Sequence, residues 1–273
     1  MIRRLADPDG PDRDVDAEGL DPEDDVEMGF FDHLAELRKR LLLSLYGVLP
    51  CFAVTWFFRE EIFSFLKRPL DIAWASEAGG GSLHYPNPLD PFIAYIKISF
   101  VTALILASPW IFLQIWAFIA PGLYRRERRI AIPFVIATAV FFIGGAAFGY
   151  TFVLPFGFEY LKGFGQDFQA TIMIQEYVSL STRLLVAFGV VFEVPVVTTL
   201  LALLNIVSWK QLLAFGRWWI LLSSVISAIL TPPDPMSQVM MMVPLNVLYF
   251  LSVGLAYMIA RARGQKDGDG QDG

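Results

Sequence analysis

The chain has 273 residues, of which 55% are hydrophobic and 18% charged, with a mean hydropathy of +0.53. Soluble domains carry about a quarter charged residues, so this balance excludes an ordinary soluble globular protein. The formal net charge of -6 implies no basic partner, because residues 1–27 hold eleven acids against three bases while the rest of the chain carries 18 bases and 16 acids.

That first segment is rich in Asp, Pro and Gly, and is predicted to be a disordered acidic tail. It has no basic start followed by an apolar core, so it does not read as a signal peptide. Residues 264–273 are predicted to form a second disordered tail, which leaves 28–263 as one membrane domain. Cys51 is the only cysteine, which excludes an internal disulfide and a cysteine zinc site. No cofactor or metal is expected, and nothing points to nucleic acid.

Spanning a hydrocarbon core of ~30 Å takes about 20 apolar residues. Six spans are predicted, at 41–58, 98–119, 130–154, 184–204, 215–230 and 239–260. Ahead of the first, Phe30, Leu34, Leu37 and Leu41 recur at helical spacing and Asp32 is a plausible N-cap. An interfacial helix is therefore expected to run straight into that span. The fifth stretch would be only about 24 Å long at helical rise, and a tight Thr-Pro-Pro-Asp-Pro-Met-Ser turn, 231–237, joins it to the sixth. Residues 59–97 and 155–183 are long connections, expected to build a cap on the outer face.

Lysine and arginine set orientation. Twelve flank the spans on one side, among them Arg38, Arg40, Arg125, Arg217 and Arg261, and six flank the other. The expectation is a multi-pass protein with both termini cytoplasmic.

Glu193 is the tenth residue of the fourth apolar stretch. A charge there costs a few kcal/mol on insertion scales, and Pro195 frees the carbonyl of Val191 two residues away. Such a carboxyl group suits a polar partner, water or a proton. Glu36 lies five residues before the first span, where an i,i+4 pair with Arg40 competes with a binding role. Glu127 is the lone acid among Arg125, Arg126, Arg128 and Arg129, and either tempers that cluster or binds. Two carboxylates at one interface could grip guanidinium groups bidentately. Asp234, Thr231 and Gln238 read as turn chemistry or as bonds to exposed backbone at helix ends. Trp116 and Phe118 suit an aromatic belt, and His33 and His84 read as surface residues. No Gly-x-Ser-x-Gly, His-Glu-x-x-His, P-loop or dinucleotide fingerprint is present. A secondary transporter using Glu193 is the rival reading from residues alone, although no inverted repeat is visible.

Four blocks carry a resemblance. They are His33–Leu41 (HLAELRKRL), Trp116–Tyr124 (WAFIAPGLY) with Glu127-Arg128-Arg129, Phe188–Pro195 (FGVVFEVP), and Leu230–Gln238 (LTPPDPMSQ). In this order they resemble TatC, the large receptor subunit of the twin-arginine protein translocase, over about 29–260. The resemblance implies an all-α integral membrane fold of six helices. It would form a concave, glove-shaped bundle with short fifth and sixth helices and an external cap, in a bacterial cytoplasmic (inner) membrane. It implies no enzymatic activity but recognition of twin-arginine signal peptides on folded cargo, with single-span TatB- and TatA-type partners in a multimeric complex. Signal-peptide recognition falls to Glu36 and Glu127, with Arg38, Arg40, Phe118 and Pro121 in the same blocks. Glu193 matches an intramembrane acid, Thr231 and Gln238 a partner-helix site, and Pro69 and Asp234 positions in external loops.

Overall fold

A computed structural model describes residues 30–75, 81–119, 131–164, 170–231 and 235–262. The chain order is α1 (Phe30–Phe57), α2 (Arg59–Ala73), β1 (Leu83–His84), α3 (Asp90–Ile119), α4 (Ala131–Phe148), a π-turn (Gly149–Val153), α5 (Leu154–Phe164), β2 (Ile172–Met173), α6 (Ile174–Leu203), α7 (Trp209–Leu230) and α8 (Pro235–Ala262). Six segments among the described residues are long and apolar enough to cross a membrane: His33–Phe57, Asp90–Ile119, Ile132–Gly163, Ile174–Leu203, Trp209–Leu230 and Gln238–Ala262. A lipid environment leaves helices as the economical way to pair every backbone group.

α6 is the hub, packing against α3, α4 and α8, while α1 leans on α3 and α7 on α8. Close approach is built from glycine. A Cβ on Gly145 would lie 2.4 Å from the carbonyl oxygen of Phe188, and one on Gly189 would lie 2.9 Å from the ring of Phe142. α4 and α6 thus meet where each is bare, the small-residue packing expected between helices in lipid. At the α1–α3 contact the hydroxyl of Thr55 donates to the carbonyl of Ser99 at 2.8 Å, and the indole of Trp110 donates to that of Leu43 at 2.9 Å.

The expected cap exists as a layer at one end of the bundle, built from two helices and a bridge rather than loops. Residues 59–73, read as loop, form α2, and β1 pairs in parallel with β2 through Leu83 opposite Ile172 and His84 opposite Met173. Proline chemistry locks α2 down. Pro69 has no N–H, so the carbonyl of Phe65 loses its helical donor, and the hydroxyl of Tyr150 supplies one at 2.6 Å. The buried Tyr177 hydroxyl donates to the neighbouring carbonyl of Leu66. A similar repair occurs in α3, where Pro109 orphans the carbonyl of Ile105 and Ser108 donates to it at 2.8 Å. Trp74, Phe158 and Tyr177 then join cap and bundle in one apolar core with Leu70, Ile98 and Phe188.

Three expectations need correction. The fifth helix begins at Trp209, six residues before its predicted start, because Ser208 and Gln211 form a reciprocal capping box. At 22 residues it reaches ~33 Å and spans the core unaided, although it remains the shortest of the six spans. The sixth, at 28 residues, is not short in length at all. Hydropathy missed the first turn and a half of α7 because Lys210 and Gln211 lie there. Third, α1 already includes Phe30, two residues before the expected cap position at 32.

Candidate functional site

α1 brings Glu36 and Arg40 onto one face, and Oε1 of Glu36 accepts from Nε of Arg40 at 2.5 Å. The i,i+4 pair is therefore formed. It is also tied across the bundle: Nη1 of Arg40 donates to Oε1 of Gln114 at 3.2 Å. Gln114 is buried in α3 at 3% exposure, so its amide is a fixed acceptor rather than a surface group. One turn further along α3, Phe118 stacks on His33 with ring centroids 4.4 Å apart. His33 is thus a contact residue between α1 and α3. Trp116 is buried against Phe134 and is no belt residue. Together these contacts set the start of α1 against the end of α3, from which segment 120–130 departs. Glu36 stays partly accessible, with 20% side-chain exposure, and only Oε1 is engaged among the described residues. Arg38 points outward. Glu127 and Pro121 lie outside the described residues, as does Asp234, and so do both predicted tails.

Glu193 sits ten residues before the end of α6, ~15 Å at helical rise. Both carboxyl oxygens are buried, and neither has a hydrogen-bond partner among the described residues. A turn before it Gly189 meets Phe142, and a turn after it Val196 packs with Trp116 and Phe134. An orphaned carboxyl group in an apolar span is costly, so it marks a place where a polar group belongs.

The α7–α8 hairpin carries the third polar set. Thr231 closes α7 by donating to the carbonyl of Ser227 at 2.8 Å. Gln238 reaches from α8 to the carbonyl and hydroxyl of Ser224 at 3.1 and 3.2 Å. Two turns deeper, Asn246 donates to the hydroxyl of Ser223 at 3.0 Å and leaves Oδ1 buried without a donor. Sequence reading missed Asn246, Ser223 and Gln114 as partners. The signal was present, since Asn246 and Gln114 each interrupt an apolar run.

Pro69, expected in an external loop, is buried inside α2. No three His, Cys, Asp or Glu side chains gather in metal-binding geometry among the described residues.

The fold is thus a six-span helical membrane protein with buried polar groups both at helix ends and within its spans. The family profile described as Sec-independent protein translocase protein (TatC) matches residues 32–244. The chain is 38% identical over 250 residues to the Sec-independent protein translocase protein TatC of Koribacter versatilis, covering 90% of this chain and 91% of that protein. It is 40% identical over 238 residues to the TatC of Helicobacter pylori strain J99, covering 87% and 92%. A crystal structure titled as the twin arginine translocase receptor TatC superposes with a TM-score of 0.75 at 34% identity, covering 83% of this chain and 98% of that one. The chain belongs to the TatC family. It is a multi-pass bacterial membrane protein and a protein-transport subunit of the twin-arginine translocase, not an enzyme.

Proposed function

We infer that the chain is the signal-peptide receptor and core of its translocase, with the recognition site at the α1–α3 junction. The observation that carries this is Glu36, a partly exposed carboxylate that holds one guanidinium through one oxygen while Gln114 fixes that guanidinium from behind. An arriving arginine can take the second oxygen or displace Arg40, because both are planar forks suited to a carboxylate. Glu127 supplies the second carboxylate for a paired arginine, with Arg38, Phe118 and Pro121 around it. The site faces the cytoplasm, consistent with twelve basic residues at this end against six at the other. Single-span partners of TatB and TatA type dock along Thr231 and Gln238. Glu193 meets a polar group on an incoming helix.

Site-specific photo-crosslinking tests this reading in membranes. An Arg-Arg signal peptide should crosslink to positions beside Glu36, and a Lys-Lys version should do so weakly. Glu36→Ala and Glu127→Ala should each weaken Arg-Arg peptide binding about tenfold or more, the loss of one charge-assisted contact. Glu193→Ala should leave that binding intact and reduce crosslinks to the partner subunits. Equal losses for both peptides, or none, overturn the assignment.

A further inference from the structure

The face of α6 that meets the cap carries charges that the translocase reading does not use. Glu176, Ser179 and Arg183 follow one another at spacings of three and four, so they line one stripe of the helix. They open into a cleft of about 410 Å³ walled on the other side by Phe158 of α5 and Thr231 at the end of α7. Glu176 and Arg183 are exposed, and neither has a hydrogen bond or ion pair among the described residues. Ser179 accepts from Nζ of Lys97 at 2.9 Å, and the same ammonium reaches Gln175 at 3.1 Å. With its oxygen taken by Lys97, the Ser179 hydroxyl proton is left to donate outward. The cleft therefore holds a free guanidinium, a free hydroxyl donor and a second cation behind it.

Below Arg183 the character changes at once. The cleft shares Phe158, Leu180 and Thr231 with an apolar crevice that continues past Leu184 to Met240 and Met241 of α8. Along α6 the order is thus apolar crevice, cation, hydroxyl, anion. Glu176 and Arg183 are seven residues apart, ~10 Å along the axis, a gap that two long side chains narrow. A phospholipid with a terminal primary amine has its parts in that same order: acyl chain, phosphate, ammonium. Arginine binds phosphate oxygens through its planar fork, and a carboxylate accepts from an ammonium.

We propose that this cleft is a lipid site specific for phosphatidylethanolamine, with phosphate on Arg183 and Ser179, ammonium on Glu176, and an acyl chain lying outside along the apolar mouth of the α5–α6–α8 crevice, whose own cavity of about 40 Å³ is too small to enclose it. The carboxylate decides the lipid class. An anionic lipid without the amine satisfies Arg183 but brings negative charge toward Glu176 and leaves it without a partner. Arg183 stands where the apolar run of α6 begins, and a cation at that level is satisfied by a lipid phosphate.

The test is native mass spectrometry of the purified full-length chain released from micelles holding equal phosphatidylethanolamine and phosphatidylglycerol. Wild type should retain the former about tenfold over the latter, as expected for one charge-assisted contact. Arg183→Gln should lose retained lipid of both kinds. Glu176→Gln should keep lipid but lose the preference. Thermal unfolding of each variant in lipid-free detergent should match wild type, which separates lipid loss from misfolding. Undiminished lipid on Arg183→Gln, or an unchanged preference in Glu176→Gln, overturns the proposal.

Discussion

The two ends of the bundle are fastened by different chemistry. At the cap the fastenings run mainly from side chains to backbone carbonyls, Tyr150 to Phe65, Tyr177 to Leu66, Lys162 to Ala73 and Gln175 to Asp90, beside the side-chain bonds of Lys97 to Gln175 and Ser179. A backbone acceptor has no rotamers, so these bonds hold the cap in one place. At the opposite end Glu36, Arg40 and Gln114 join side chain to side chain, and Phe118 rests on His33. Each of those partners can turn away and be replaced by a group from another molecule. The contrast separates a clamp from a site that can exchange its ligands.

Three substitutions break or sharpen that contrast. The largest effect belongs to neither end but to the seam between them. Gly145→Val places a side chain where even a Cβ would lie 2.4 Å from the backbone oxygen of Phe188. Overpacking of this kind costs about 1–3 kcal/mol or more, and backbone does not yield as a side chain does. Monodisperse protein recovered by size-exclusion chromatography should drop sharply. Normal recovery means that α4 and α6 do not pack as described.

Tyr177→Phe comes next. It removes a donor from a buried carbonyl without opening a cavity, for about 1–2 kcal/mol, visible as a lower thermal midpoint in detergent. Protease sensitivity should rise first at α2, the element this hydroxyl anchors.

Gln114→Leu should have the smallest effect on stability, under about 1 kcal/mol, because the contact it removes is partly exposed. Its consequence is functional: Arg40 loses its tether, so the affinity for an Arg-Arg peptide should change a few-fold while the thermal midpoint stays near wild type. A thermal shift as large as that of Tyr177→Phe collapses the distinction between the two ends.

The six spans were legible because lipid imposes one rule on every one of them, a long apolar run. The cap was legible only as chain length. α2 is amphipathic and carries Glu60, Glu61, Lys67 and Pro69, so neither hydropathy nor proline-based reading marks it as helix. What holds it is tertiary: two tyrosines from elsewhere in the sequence. The start of α7 was readable in principle, since Ser208-x-x-Gln211 is a capping-box pattern, but Lys210 and Gln211 keep its hydropathy below that of a span. At the candidate site, spacing paired Glu36 with Arg40, and the structure contains that pair. It did not disclose Gln114, because a polar residue in a span names no partner until the helices are packed. The resemblance, not spacing, marked Glu36 as a recognition residue.

The π-turn at Gly149–Val153 has a consequence for how the chain tolerates change. A π-turn holds one residue more than the α-helix it interrupts, and one residue is ~100° of rotation about a helix axis. The turn therefore works as a phase shifter between the membrane part of the third span and its outer extension. It sets the angle at which Leu154 and Phe158 enter the core, at 1% and 7% exposure. A substitution along this span acts through the contacts of one residue. An insertion or deletion beside the turn acts as a twist on everything beyond it, so length here carries information that side-chain identity does not.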